Sequence, residues 1–233
     1  MRALEGWTIV FDLDGTLVET ASDICAVLND LLEEEGIPPL PYEQARLLVG
    51  RGARALVQRG FVAAGATVAE ARLDELVDRF VDLYRPRLAE KSRPFPGCIE
   101  ALTALREAGA IFCVCTNKRT ELSVALFEAL GMSHWFAAIV GPDAVGARKP
   151  DPNHLLAAIA QAGGDPARAI MVGDGEPDAG AARAAGVPLV IVDFGYTTIP
   201  AAELGGDILI SHFSELADAC RRLATCPAVQ ASL

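Results

Sequence analysis

Two aspartates stand two residues apart directly after the first strongly apolar run of the chain. The run extends from Trp7 to Phe11, and Asp12 and Asp14 follow it. Side chains two residues apart at a strand end point the same way, and paired carboxylates raise each other's pKa unless a cation or hydrogen bonds intervene. Such a pair is costly for structure and useful for catalysis. The plainer alternative is an acidic turn that ends a strand.

Two further polar clusters also follow apolar or turn-forming stretches. Thr116 and Asn117 precede a predicted helix, whose free N–H groups would help to hold a phosphate, although such residues commonly only cap a helix. Lys149 stands in the run Arg-Lys-Pro-Asp-Pro, where the prolines restrict the backbone. A cation fixed there can neutralise a transferring phosphoryl group, whereas the alternative is a solvated loop residue.

A fourth cluster is acidic. Asp174 and Asp178 lie in a turn after another apolar run. Together with Asp12 and the backbone carbonyl of Asp14, Asp174 would supply the hard oxygen ligands that Mg²⁺ prefers. Asp178 has a second interpretation, as the cap of the following helix.

The elements that must position these clusters form an alternating pattern. The runs that predict strands buried on both faces are Trp7 to Phe11, Ala110 to Cys115, Ala169 to Val172 and Leu189 to Val192. The helical patterns after them cover Cys98 to Ala108, Glu121 to Leu130, Pro152 to Ala162 and Asp178 to Ala185. This alternation predicts an α/β protein with a doubly wound parallel sheet, in which ligands bind at the carboxyl edge.

Between about residues 18 and 92 the pattern changes to helices without strands. One helical stripe contains Val68, Leu73, Leu76, Val77, Phe80, Val81, Tyr84 and Leu88. The block ends at Arg93–Gly97, a stretch rich in proline and glycine that is typical of a hinge. The sequence therefore predicts a core formed by residues 1–17 and 93–233, and an inserted all-helical domain at residues 18–92.

In this order the four clusters resemble the four motifs of the haloacid dehalogenase superfamily of phosphohydrolases, and in particular the phosphoglycolate phosphatases. The likeness covers essentially the whole chain, and its segments are Phe11–Thr20, Val49–Ala53, Thr116–Lys118 and Lys149–Pro152. It implies a Rossmann-like core with a helical cap domain. It also implies Mg²⁺-dependent hydrolysis of a phosphomonoester through an aspartyl phosphate, with 2-phosphoglycolate as the first choice of substrate.

The resemblance assigns catalytic roles. Asp12 would be the nucleophile, and Asp14 would protonate the leaving oxygen and then activate water. Thr116 and Lys149 would bind the phosphoryl oxygens, with support from Asn117.

The resemblance also assigns the metal ligands. Asp12, the Asp14 carbonyl and Asp174 would hold Mg²⁺, while Asp178 would orient the metal shell or the lysine. Gly175 stands where many relatives have serine, so one hydroxyl near the metal is missing here.

Substrate selection is expected near a loop that precedes a helix of the cap. Its free amides and guanidinium groups suit a carboxylate, although a turn with solvated arginines is the alternative. The residues predicted to bind substrate, besides Asn117, are Gly15, Gly50, Arg51, Gly52 and Arg54. The alternative substrates are a sugar phosphate, pyrophosphate and an amino-sugar acid phosphate.

Other chemistries fit the residues less well. A phosphonoacetaldehyde hydrolase needs a cap lysine, which residues 18–90 lack, and a haloacid dehalogenase lacks the second aspartate of the first motif. A phosphomutase would share all four motifs and stays open. A phosphate-accepting signalling module is opposed by the Asp-x-Asp pair and the inserted helices. A Ser-His-Asp hydrolase has no G-x-S-x-G here, and the histidines lie outside the motifs.

Composition narrows the partners. The chain has 233 residues, 52% of them hydrophobic, and a formal net charge of −11. This charge disfavours nucleic acid and anionic membranes, which leaves a small phosphorylated metabolite as the expected partner; the number of subunits is not predicted. The first residues show no signal peptide, so we expect a cytoplasmic location.

The cysteines show no metal-site or disulfide spacing, so we expect them to be reduced and packed as small hydrophobic residues. They are Cys25, Cys98, Cys113, Cys115, Cys220 and Cys226. The last residues, 225–233, are expected to form a frayed tail.

Overall fold

A six-stranded parallel sheet lies at the centre of the computed structural model, which describes residues 2–225. The strands are β1 (Thr8–Phe11), β2 (Val18–Glu19), β3 (Arg93–Pro94), β4 (Ile111–Cys115), β5 (Ala138–Val140), β6 (Ala169–Gly173), β7 (Leu189–Val192) and β8 (Ile208–Ile210). The order across the sheet is β5-β4-β1-β6-β7-β8, and every neighbouring pair is parallel. The prediction of a doubly wound parallel sheet is confirmed, with β1 in its interior.

Helices connect the strands. They are α1 (Ala21–Glu34), α2 (Tyr42–Arg46), α3 (Ala53–Ala63), α4 (Glu70–Tyr84), α5 (Cys98–Glu107), α6 (Thr120–Ala129), α7 (Pro142–Val145), α8 (Pro152–Gln161), α9 (Glu176–Ala185) and α10 (Leu216–Ala224). None of the helices within residues 2–225 has the length and apolar character needed to cross a bilayer.

The sheet is buried on both faces, as its apolar strands require. Alternate residues of β1 enter different cores: Ile9 and Phe11 pack with α5 and α10, whereas Val10 packs with α8 and α9. The cysteines of the described residues are free and buried, as expected. Cys226 and the rest of the predicted tail beyond residue 225 lie outside the described residues.

The helical segment, residues 18–92, contains α1 to α4. Its helix α4 buries Leu73, Leu76, Val77, Phe80, Val81 and Tyr84, all members of the predicted apolar stripe. The ends of the segment pair with each other, because β2 and β3 form an antiparallel ladder that places Val18 opposite Pro94 and Glu19 opposite Arg93. The stretch predicted as a hinge therefore begins with a strand.

Candidate active site

The predicted site residues converge at the carboxyl edge of β1, β4 and β6. Asp12 directly follows β1, and the buried Lys149 lies against it, with 2.8 Å between Lys149 Nζ and Asp12 Oδ1. The same ammonium lies 2.7 Å from Asp178 Oδ1. One lysine therefore joins two carboxylates that come from different loops.

Burial and charge oppose each other in this cluster. Burial disfavours the charge of Lys149, but the carboxylates of Asp12 and Asp178 outweigh it and raise the pKa of the lysine above its usual range. Burial also raises the pKa of Asp12, against the attraction of Lys149 and with the help of the neighbouring aspartates. The ammonium of Lys149 therefore stays protonated, whereas burial disfavours the charged form of Asp12.

Asp174 is fixed by contacts from both sides. Its Oδ1 accepts a hydrogen bond from Thr16 Oγ1 at 2.9 Å, and its Oδ2 accepts one from the backbone N–H of Tyr196 at 2.8 Å. Burial and Asp178 raise its pKa. Gly15 must remain a glycine beside it, because its φ is +87° and a Cβ there would lie 2.6 Å from Asp174 Oδ2.

Asp178 contacts both the turn before α9 and Lys149. Its Oδ2 accepts the backbone N–H groups of Asp174 at 3.2 Å and Gly175 at 3.1 Å, which fixes the turn before α9, while its Oδ1 contacts Lys149. One carboxylate thus anchors the turn and positions the lysine.

The acidic cluster fits a divalent cation. Asp12, Asp174 and Asp178 each offer a carboxylate oxygen, and these oxygens lie within 4.8 Å of one another. Including Asp14, the site holds four buried aspartates and two buried lysines, so carboxyl groups outnumber ammonium groups by two. A buried excess of negative charge is destabilising, and hard oxygen ligands are those that Mg²⁺ prefers.

Asp14 has a cationic partner of its own. Lys118 Nζ lies 2.9 Å from both carboxylate oxygens of Asp14, and Thr20 Oγ1 donates to Asp14 Oδ1 at 2.7 Å. The sequence analysis did not assign Lys118 to the site. Its rarity was the available signal, because the chain has lysine only at positions 91, 118 and 149.

The Thr-Asn pair after β4 is buried in the same place. Thr116 Oγ1 accepts the backbone N–H of Lys118 at 3.2 Å. Asn117 Nδ2 donates to the carbonyls of Gly50 at 3.3 Å and Lys149 at 3.2 Å. The buried Oδ1 of Asn117 has no hydrogen-bond partner among the described residues, so an acceptor is left available there.

A cavity of about 260 Å³, the Asp14 cavity, lies between Asp14 and the helical segment. Its walls include Gly50, Gly52 and Arg54, whereas Arg51 lines a separate cavity of about 40 Å³ beside Asp12. The substrate-binding residues predicted in this loop are therefore divided between two cavities.

Both arginines of that loop have carboxylate partners. Arg51 pairs with Glu176 across the two parts of the molecule, and Arg54 pairs with Glu70 and Asp74 within the helical segment. Their predicted role in substrate binding stays a prediction.

Tyr196 also belongs to the site, although no sequence pattern indicates it. Its hydroxyl accepts the backbone N–H groups of Thr20 at 2.8 Å and Ala21 at 3.1 Å, and donates to Glu19 Oε1 at 3.1 Å. Its own backbone holds Asp174. The residue therefore connects the acidic cluster to the start of α1.

The fold and the site together define an α/β enzyme whose charged centre lies at the carboxyl edge of a parallel sheet. A family model described as haloacid dehalogenase-like hydrolase matches residues 8–186. The chain belongs to this family, which confirms the resemblance noted in the sequence.

Known relatives match almost the whole chain. The phosphoglycolate phosphatase of Caulobacter vibrioides is 52% identical over 234 residues, which cover 100% of this chain and 99% of that protein. The N-acetylmuramic acid 6-phosphate phosphatase of Pseudomonas aeruginosa is 34% identical over 224 residues, covering 95% of this chain and 98% of that protein. The crystal structure of a predicted phosphoglycolate phosphatase from Haemophilus somnus has a TM-score of 0.86 at 29% identity, covering 94% of this chain and 99% of that chain.

Proposed function

We propose that this protein is a phosphoric monoester hydrolase that converts 2-phosphoglycolate to glycolate and phosphate. The observation that carries the proposal is the position of Asp12, buried at the end of an interior strand and joined to Lys149. The relation to phosphoglycolate phosphatases over the full chain supports the choice of substrate.

Asp12 is the nucleophile in this proposal. Its carboxylate attacks phosphorus in line, the bond from phosphorus to the leaving oxygen breaks, and an aspartyl phosphate forms. A phosphomonoester dianion repels a carboxylate, so Lys149 is needed beside both groups to offset the charge. Water then attacks the aspartyl phosphate, which restores Asp12 and releases phosphate.

Asp14 acts as the acid and then as the base. It donates a proton to the leaving oxygen in the first step and accepts one from water in the second. Its place two residues after the nucleophile supports this role, because both carboxylates lie at the same strand end.

The phosphoryl oxygens are bound by donors around Asp12. Thr116 contributes its hydroxyl and Lys149 its ammonium, while Asn117 supports Lys149 through a hydrogen bond to its carbonyl and Gly15 leaves room beside the acidic cluster. Their burial supports this assignment, because hydrogen bonds and charges act more strongly where water is excluded.

Mg²⁺ fits the acidic cluster as the cofactor. We propose that Asp12, the backbone carbonyl of Asp14, Asp174 and Asp178 hold it. When bound, the ion supplies positive charge that offsets the charge of the phosphoryl oxygens.

We further propose that residues 18–92 act as a cap domain over a core formed by residues 1–17 and 93–233. In this arrangement Gly50, Arg51, Gly52 and Arg54 contribute to binding of the leaving group. The position of their loop against Asn117 supports the idea.

Phosphate release from a panel of phosphorylated metabolites with Mg²⁺ tests the function. The panel holds 2-phosphoglycolate, a sugar phosphate, pyrophosphate and N-acetylmuramic acid 6-phosphate. We expect the highest kcat/KM for 2-phosphoglycolate. Higher activity on another member would replace the substrate, and transfer of phosphate at no more than one equivalent per chain would replace the class with a phosphate-accepting module.

A further inference from the structure

The inner wall of the Asp14 cavity carries two buried polar residues that have no role in the proposed mechanism. Lys118 follows β4, and Tyr84 ends α4. The Lys118 ammonium lies 4.8 Å from the centre of the Tyr84 ring. The two residues therefore join the core and the helical segment at one point of the wall.

The Tyr84 hydroxyl can donate a hydrogen bond to a ligand. The residue is only 1% exposed, and its hydroxyl proton has no acceptor among the residues that the structure describes, because the neighbouring Lys118 ammonium can only donate. Burial raises the pKa of Tyr84 to about 12, so the hydroxyl keeps its proton. A buried donor without a partner lowers stability, and a ligand that accepts from it removes that cost.

The other cations of this wall are less suited to hold a small anion. Arg54 and Arg119 have side chains 32% and 41% exposed, and Arg148, which also lines the cavity, is exposed. The Lys118 side chain is 6% exposed. A charge shielded from water interacts more strongly with an anion than one screened by solvent.

We propose that Lys118 and Tyr84 bind the carboxylate of the leaving group and so select 2-phosphoglycolate. This inference rests on the proposed function. In 2-phosphoglycolate a single methylene separates the ester oxygen from the carboxylate. A substrate whose ester oxygen lies near Asp14 thus brings its carboxylate near Lys118, which contacts the same aspartate.

The same geometry makes the carboxylate a competitor of Asp14. In this structure Asp14 holds the Lys118 ammonium with both oxygens. A substrate carboxylate that binds this ammonium takes the place of an Asp14 oxygen, whereas a substrate without a carboxylate leaves the pair unchanged.

The kinetic test compares two substrates that differ only at this group. Ethyl phosphate presents the same phosphoryl group as 2-phosphoglycolate but has a methyl group in place of the carboxylate. We expect Lys118→Met to lower kcat/KM for 2-phosphoglycolate about 10- to 150-fold more than for ethyl phosphate, the range for a lost charge-assisted hydrogen bond. Tyr84→Phe, which keeps the ring, should show a differential loss of about 2- to 10-fold.

The matched control is Lys91→Met, at an exposed lysine outside the cavity. It should leave the ratio of the two kcat/KM values unchanged. Lys118→Arg keeps the charge and is expected to recover part of the discrimination that Lys118→Met loses.

A binding test removes any dependence on turnover. The phosphonate 3-phosphonopropionate has the shape of 2-phosphoglycolate with a methylene in place of the ester oxygen, and propylphosphonate lacks its carboxylate. With Mg²⁺ present, the natural sequence should bind 3-phosphonopropionate more tightly. Lys118→Met should remove that difference while propylphosphonate still binds, which also shows that the variant is folded.

The outcomes separate this inference from the proposed function. If the natural sequence hydrolyses ethyl phosphate with the same kcat/KM as 2-phosphoglycolate, the proposed substrate is wrong and the inference is wrong with it. If the natural sequence prefers 2-phosphoglycolate but Lys118→Met and Tyr84→Phe lower both substrates equally, only the inference is overturned. Loss of the preference in Lys118→Met but not in Lys91→Met supports it.

Discussion

Two regions of this molecule hold their charges in opposite ways. At the strand ends the side chains of Asp12, Lys149 and Asp178 are 6%, 0% and 2% exposed and interlock. On the helical segment, by contrast, Arg54 pairs with carboxylates whose side chains are more than three-quarters exposed. Buried pairs are fixed and costly to break, whereas exposed pairs are weak and exchange readily. The difference supports the proposal that the chemistry takes place at the strand ends.

The largest expected effect concerns the nucleophile. Asp12→Asn should lower turnover on the order of 10⁴-fold or more, because an amide of nearly the same shape cannot attack phosphorus. Phosphate release after purification, with mass spectrometry to exclude deamidation, checks this. Asp193→Asn, an exposed aspartate just after β7, is the control and should retain activity. Multiple turnovers by the folded Asp12→Asn variant would show that Asp12 is not the nucleophile.

Asp14→Asn should cost about 10²–10⁴-fold on substrates with a poor leaving group, since general acid and base help is then missing. The loss should be smaller in the first turnover of an activated aryl phosphate, which needs no proton on its leaving oxygen. Rapid-quench measurement of the first turnover and of the steady state separates the two steps. A steady state like that of the natural sequence on unactivated esters would exclude the acid-base role.

The third prediction concerns metal affinity. Asp174→Ala should weaken Mg²⁺ binding about 10- to 100-fold by calorimetry, whereas Glu176→Gln, beside the cluster and exposed, should change it little. Chelation should abolish activity, and Ca²⁺ should inhibit because its looser coordination disturbs in-line geometry. Full activity in excess chelator would contradict the assignment of the cluster.

The pH dependence of that affinity has a defined sign. Burial raises the pKa of Asp12 and Asp174, so protons compete with the cation for these carboxylates as the pH falls. Mg²⁺ binding should therefore strengthen as the pH rises, with release of protons on binding. Calorimetry in buffers of different ionisation enthalpy measures that release, and an affinity independent of pH would show that neither carboxylate is a ligand.

The smallest effect is expected on the exposed side. Arg51→Ala should lower kcat/KM for 2-phosphoglycolate by about 10-fold and that for an aryl phosphate less, since a partly exposed guanidinium gives the low end of a charge-assisted contact. Glu176→Gln frees the same arginine and serves as the matched variant. Equal losses on both substrates would show that the pair with Glu176 serves closure of the segment instead of substrate selection.

Local sequence patterns predict most of the fold. The interior strands β1, β4, β6 and β7 are apolar runs long enough to be predicted. Strand β5 (Ala138–Val140) and strand β8 (Ile208–Ile210) have three residues each, too few to show a period, and were not predicted. Their pairing with β4 and β7 supplies what their sequences lack.

The site residues also divide into those that local sequence patterns indicate and those that only contacts between distant residues reveal. Asp12, Lys149 and Asp174 were predicted because each follows a strand or opens a helix. The contacts between Lys118 and Asp14 and between Arg51 and Glu176 join residues more than 100 positions apart, so no spacing rule could predict them. Tyr196 contributes through its backbone and a distant helix start, which a residue type does not reveal.

The pairing of β2 with β3 has a consequence for how such a protein diversifies. Glu19 and Arg93 stand side by side, so the helical segment leaves and re-enters the core at a single point. The entropy of closing a loop depends only weakly on the number of residues between ends that are already joined. An insert of another length can therefore occupy this place while the register of the central sheet is kept. Exchange of one continuous segment of the chain would then alter the walls of the Asp14 cavity and leave the strand ends unchanged.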